Sequence, residues 1–295
     1  MSIASLSRGV ALAALLGGGA AAHADPNDLR IHTLGDPRTE PGANGDFQAF
    51  ARTFGAAISS VNLMPPETLG HAGFSVNGEL SVVRLSSATP LPTEGRAPGT
   101  LLLPSVHVRK GLPFSTELGA RVTWVEKSNM ATLGGELKVA IIEGFTYLPD
   151  IGARLHATRL LGSRELGLTT GGLDVGMGKQ FPIGGMVTLT PYGGLDLLGT
   201  AASAKDVNFQ PNRPLEDTLG SPGAALQGIA SYDSIGLTDH IMTRLYGGAR
   251  FIGGVLQLGA EVSLTRVGNV PTGQGDEERY VPAVLTLNTT LGLDF

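Results

Sequence analysis

Cysteine is absent from all 295 residues. That excludes disulfides, thiolate metal sites and a cysteine nucleophile. Beyond the N-terminus there is no long uninterrupted apolar run, so no segment reads as a transmembrane helix, which needs about 20 apolar residues. Net positive charge is also missing: the formal charge is −5, which argues against nucleic acid as a partner. Catalytic signatures are few. No G-x-S-x-G occurs, and Gly178-Lys179 fails as a phosphate loop because Leu173 and Gln180 stand where the pattern needs Gly and Ser or Thr. Histidines 107, 156 and 240 are isolated in sequence, and Asp239-His240 would point to opposite faces of a strand. No catalytic residue, metal site or cofactor is implied, and an enzyme is the least favoured class.

What is present begins with an export signal. Arg8 supplies a positive start, Val10 to Leu16 a short apolar stretch, and Ala22-His23-Ala24 a small-x-small cleavage pattern. Residues 1–24 therefore read as a secretory signal peptide, with the mature chain starting near Asp25. Residues 25–72 read as a leader. Asp25 to Gly45 is polar and rich in Pro and Gly, and is expected to be flexible. Over 46–61, Phe47, Phe50, Ala51, Phe54, Ala57, Ile58 and Val61 fall at three- and four-residue spacing, the stripe of an amphipathic helix. Asn44 or Asp46 can cap it, and Pro65-Pro66 ends it.

From Gly73 the period is two almost to the end. Ten candidate strands lie at about 73–85, 100–109, 115–125, 130–142, 151–161, 166–180, 186–199, 238–250, 255–267 and 280–295. One parity is greasy, as in Leu118, Ala120, Val122 and Trp124, or Leu256, Leu258, Ala260, Val262 and Leu264. The other carries Glu79, His107, Arg109, Glu117, Arg121, Glu136, Lys138, Arg154, His156, Asp174, Asp196, Arg244, Arg250 and Glu261.

Alternation alone does not say which parity faces inward. A soluble barrel buries the greasy one; a membrane barrel turns it outward to lipid. Three features favour the second. The links alternate between short turns (KGLPF, EGFTYLPD, FPIGG, FIGG) and links that are long or charged, the longest running from about 201 to 238. The aromatics sort with the turns: Phe114, Phe145, Phe181 and Phe251 at short-turn ends, Phe74 and Phe295 at the two ends of the strand array, and Trp124 and Tyr280 near the opposite rim. That is the arrangement of two interfacial girdles. Many strands also exceed the 9–11 residues or so that cross hydrocarbon.

The final strand, 280–295, ends on Phe295 with Leu293, Leu291, Leu287 and Leu285 on the same face. With this ending the stretch 73–295 resembles the bacterial outer-membrane β-barrel proteins. The resemblance implies a closed antiparallel transmembrane β-barrel of about ten strands (eight or twelve if a hairpin is split or missed), with both chain ends at the periplasmic rim. It also implies a bacterial outer-membrane location, lipid and lipopolysaccharide around the greasy face, and a C-terminal strand read by the barrel assembly machinery. The expected function is a porin-like passage for small polar solutes. The alternative is a non-conducting structural or interaction barrel, plugged by lumen salt bridges or by the helix, which would otherwise lie at the periplasmic mouth or on the membrane surface. Asp276-Glu277-Glu278 reads as a solvated loop, with a divalent cation shared with lipopolysaccharide as its other reading. The 201–237 loop could constrict the mouth or meet a partner.

Overall fold

The computed structural model describes residues 24–89, 91–185, 187–204, 206–211 and 228–295. Residues 1–23, nearly all of the stretch expected to be a signal peptide, and residues 212–227 of the long loop lie outside them. Ten strands form one barrel: β1 (Phe74–Arg84), β2 (Thr100–Leu112), β3 (Thr116–Trp124), β4 (Ala131–Ile142), β5 (Asp150–Leu161), β6 (Leu166–Gly178), β7 (Val187–Ala204), β8 (Ile241–Gly253), β9 (Leu256–Arg266) and β10 (Val284–Asp294). Each pairs antiparallel with its neighbours in sequence, and β1 pairs with β10, Val76 opposite Leu293 and Val82 opposite Leu287. That last ladder closes the sheet, so no edge is left unpaired. The final strand is shorter than expected because 278–281 belongs to a separate hairpin with 268–271, standing beyond the barrel.

The greasy parity faces outward. Leu133, Leu155, Leu173, Leu245, Leu264 and Leu287 are each 48–59% exposed. They form a belt far larger than the few hundred Å² of apolar surface that a water-soluble monomer shows. A barrel with a charged inside and a greasy outside is built for lipid. Phe74, Phe114, Phe145, Phe181, Phe251 and Phe295 are all exposed around the rim of short turns, and Trp124 is exposed at the other rim. Tyr280 is exposed too, but in the separate hairpin rather than on a barrel strand.

The main apolar core lies at the loop end of the interior. There the inward parity itself turns greasy: Leu101, Leu103, Leu168, Leu198, Met242 and Val284. These residues surround helix α1 (Ala43–Ile58), which stands inside the barrel. All of α1 except Asn44, Asp46 and Gln48 is buried. Phe47 stacks on Tyr232 of the long loop with centroids 4.7 Å apart, and Phe209 meets the same tyrosine edge-on at 5.6 Å. Close approach depends on two glycines. A Cβ at Gly55 would fall 2.6 Å from Thr200 Oγ1 of β7, and one at Gly45 would fall 1.9 Å from the Pro271 carbonyl oxygen.

Four expectations for the leader are corrected. The helix runs over 43–58 rather than 46–61, because the polar groups of 59–61 are taken by lumen arginines. Neither Asn44 nor Asp46 caps it: Asn44 bonds Asp233, and Asp46 pairs with Arg279. The helix does not lie on the membrane surface. Nor is 25–45 a loose tail at the rim of Phe295. Ile31 is fully buried in a 3₁₀ turn, Ile31–Leu34, and Tyr232 Oη donates to the Ile31 and Gly35 carbonyls at 3.1 and 2.7 Å. Asn27 and Leu29 bond the β3–β4 and β1–β2 loops. The leader therefore begins at the loop rim, opposite Phe295.

Candidate functional site

Because the leader and α1 lie at the loop end and β1 starts at the turn rim, residues 59–73 must cross the barrel. Fifteen residues can extend to about 50 Å, ample for a hydrocarbon core of about 30 Å. Pro65-Pro66 keep the crossing extended, since neither has an N–H to start a helix and proline disfavours the helical region for the residue before it. The strand residues that this segment meets are the charged inward parity, in order from the loop end to the turn rim.

The uppermost station is three arginines. Arg244 donates to the Ala56 carbonyl at 2.9 Å, to the Ser60 carbonyl at 3.2 Å, and to the Ser59 hydroxyl. Arg121 donates to the Val61 carbonyl at 2.7 Å and to the Ser60 hydroxyl. Arg154 donates to the Val61 carbonyl at 3.1 Å. The C-terminus of a helix carries partial negative charge on its unpaired carbonyls, and cations satisfy it. Arg244 thus caps α1 at the Ala56 carbonyl, and the three arginines together grip the first extended residues.

Each arginine is also tied to the wall. Arg121 Nε donates to Glu79 Oε2 at 2.7 Å. Arg154 spans Glu136 at 2.8 Å and Asp174 at 3.1 Å, and Arg244 reaches Asp196 at 3.2 Å. His107 lies 3.1 Å from both Glu79 and Glu136, and His156 Nε2 lies 3.1 Å from Asp196. Two of the three histidines that sequence left isolated thus sit in the charged web, His107 between two carboxylates and His156 against one, rather than beside a nucleophile. His240 is elsewhere, its Nε2 2.7 Å from the Val267 carbonyl.

Lower down the grip continues. Asn62 donates to Tyr246 Oη at 3.0 Å, and Tyr246 donates to Asp174 at 2.5 Å. Glu261 accepts the Leu63 N–H at 2.9 Å, and Leu63 holds φ +56°. A bulky residue rarely adopts that left-handed conformation without surrounding constraint. Lys138 lies 3.4 Å from the Pro65 carbonyl and 3.2 Å from Glu117. Glu67 pairs with Arg250, Glu117 accepts the Leu69 N–H at 3.1 Å, and Arg109 binds Glu117 at 3.1 Å. At the turn rim Thr68 donates to Glu143, and Lys110 to the Ala72 carbonyl at 2.8 Å.

All fourteen charged and histidine positions singled out from the sequence thus face the interior. Among them, the acids and bases pair with one another or hold the crossing segment. Sequence reasoning missed the other half of the site: Ser60, Val61, Asn62, Glu67, Tyr192 and Tyr246. Tyr192 and Tyr246 were legible, since both share the inward parity of their strands. The crossing residues were not, because an extended segment that bonds side chains on many strands has no period of its own.

At the loop rim the leader is fastened by Asp28. Its carboxylate accepts Asn129 N–H at 2.7 Å, Asn129 Nδ2 at 2.8 Å and Asp25 N–H at 2.9 Å. Partial burial works to raise this carboxyl, but the three donors outweigh it and hold it below the usual aspartate range. Asp276 and Glu277 lie at the turn of the 268–281 hairpin, and Glu278 accepts from Asn269 at 3.1 Å. Among the described residues no group of three or more carboxylate and imidazole ligands is placed to hold a metal ion.

No protein-family model matches the chain, and no curated protein matches it. Among solved structures, the translocator domain of the autotransporter NalP from Neisseria meningitidis is similar at 12% identity and a TM-score of 0.37, over 89% of this chain and 99% of that one. The outer membrane protease OmpT from Escherichia coli is similar at 10% identity and 0.34, over 79% and 98%. Neisserial surface protein A is similar at 12% and 0.28, over 76% and 98%. At such scores the fold rests on the chain's own strand pairing.

Proposed function

We propose that this chain is an outer-membrane barrel closed by its own N-terminal segment, and that its work is done at the loop rim rather than through the lumen. The observation that carries this reading is the three-arginine grip on residues 56–61. Of the two functions drawn from the sequence, it supports the plugged structural or interaction barrel over the porin-like passage. A channel needs a wet lumen. Here the backbone of 59–69 and the paired charges occupy the interior, and α1 with the aromatic cluster of Phe47, Phe209 and Tyr232 stoppers the loop end. The leader, the 268–281 hairpin and the described ends of the long loop, 206–211 and 228–237, then form one surface anchored in the membrane. This reading gives His107 and His156 structural partners and assigns them no chemistry.

The test is current across a planar bilayer. The folded protein should insert and pass no steady current at low voltage; reproducible open steps would restore the porin reading.

The lipid belt and the terminal strand carry a second part of the proposal: 284–295, the barrel part of the 280–295 stretch read from the sequence, is the segment presented to the assembly machinery, with Phe295 at the rim of short turns. Phe295 is 66% exposed, and its backbone pairs with Phe74 in both directions. Its side chain therefore adds little to the fold itself. Phe295→Ala should reduce the amount of folded barrel in membranes several-fold while leaving refolding in detergent unchanged. Equal loss in both settings would mean that the ring is structural.

A further inference from the structure

Outside the barrel, basic residues at the loop ends of the strands are few, and two of them share one wall. Arg84 closes β1 and Arg266 closes β9, and both are exposed on the outward parity. Only β10 runs between them. Arg84 lies opposite Leu285, which lies opposite Leu264, two residues before Arg266. The two Cα atoms are thus offset by two strand spacings, about 10 Å, and by two residues, about 7 Å along the strand. Side chains as long as arginine can close that gap around one headgroup. None of the ion pairs among the described residues includes either arginine, whereas Arg159, another outward arginine near the loop rim, is spent on Thr169 Oγ1 at 2.6 Å.

Below this pair the same wall is dented. An open groove of about 950 Å³ runs over Gly78, Leu80, Phe251, Leu258 and Leu291 of the outward parity, with Glu79, Ser105 and Thr290 of the inward parity at its floor. From Arg84 to Leu80 is four residues, about 13 Å along the strand, which is within the length of an acyl chain. Charge at the rim and an apolar groove beneath it match the two parts of one molecule.

We propose that Arg84 and Arg266 clamp the phosphate of a membrane lipid in the leaflet at the loop rim, with its acyl chains lying in the groove across β8, β9, β10 and β1. Guanidinium groups bind phosphate oxygens through paired, charge-assisted hydrogen bonds, which are stronger where lipid excludes water. Such a lipid would hold the seam where the last strand meets the first. The inference rests on the lipid-facing reading of the belt but not on whether the lumen conducts.

The test is native mass spectrometry of the protein refolded in detergent from urea, so that no lipid is carried over, with diphosphorylated lipid A as the probe. The expected result is one retained lipid per barrel, unmoved by excess inorganic phosphate. The double variant Arg84→Gln/Arg266→Gln should retain about tenfold less or lower still, and Arg159→Gln should match the parent. Heat-modified mobility on gels establishes that all three are folded, so a failed belt reading, with no insertion at all, is separate from a failed clamp. Equal retention by the double variant, displacement by free phosphate, or a barrel dimer occupying the wall without lipid would each overturn the proposal.

Discussion

Arg154→Met should lower the folding free energy of the barrel by about 3–5 kcal/mol, the cost of removing one partner from a buried ion pair. Arg154 is buried between Glu136 and Asp174, and it also donates to the Val61 carbonyl and the Ser60 hydroxyl of the crossing segment. Methionine has similar length but no charge. It would leave two carboxylates in the barrel interior without their shared cation, and an unpaired buried charge is costly. The wall and the crossing segment meet at this residue, so both should loosen together. Urea-dependent unfolding in lipid vesicles measures the loss, and protease cleavage within 59–69 measures the release of the segment. A loss below about 1 kcal/mol, the range of solvent-exposed ion pairs, would mean that the lumen is hydrated.

The second large effect is on conduction. A chain lacking residues 43–62 should pass steady current where the intact protein passes none. The deletion removes α1 and the residues that the three arginines grip, and leaves the ten strands untouched. Those arginines keep their wall carboxylates, so the charged web can stand with space at its centre. Discrete openings in the variant and silence in the parent would assign closure to the N-terminal segment. Silence in both would assign it to the charged side chains alone. Folded mobility on gels must accompany the comparison, since a collapsed barrel is also silent.

The barrel was largely legible in the sequence because a two-residue period carries over long distances without tertiary help. The inward set, Glu79 through Glu261, followed from parity once the greasy face was assigned to lipid. The crossing did not follow. Pro65-Pro66 read as the end of a helix, whereas in the structure they stiffen a strand-like passage. The leader read as flexible because its few apolar residues, Leu29, Ile31 and Leu34, make no stripe; they are ordered by packing with the loops and Tyr232. One signal was available and unused. Leu101, Leu103, Leu168, Leu198 and Met242 are apolar residues on the otherwise polar parity, all near the loop ends of their strands. A greasy collar inside a polar lumen needs an apolar occupant, and the phenylalanine stripe of α1 was the one segment left to provide it.

The central claim is that α1 stands inside the barrel, and one pair of residues tests it directly. A Cβ built at Gly55 lies 3.3 Å from Thr200 Cβ on the inner wall of β7, close to the spacing of about 3.8 Å that a disulfide bridges. The chain has no other cysteine, so in Gly55→Cys/Thr200→Cys every disulfide within one chain must join these two positions. The account predicts that mild oxidation of the folded double variant consumes both thiols and gives a monomer of altered mobility on non-reducing gels. Two thiols that stay free through oxidation, and are labelled by maleimide once the chain is unfolded, would place the helix outside the lumen and contradict it.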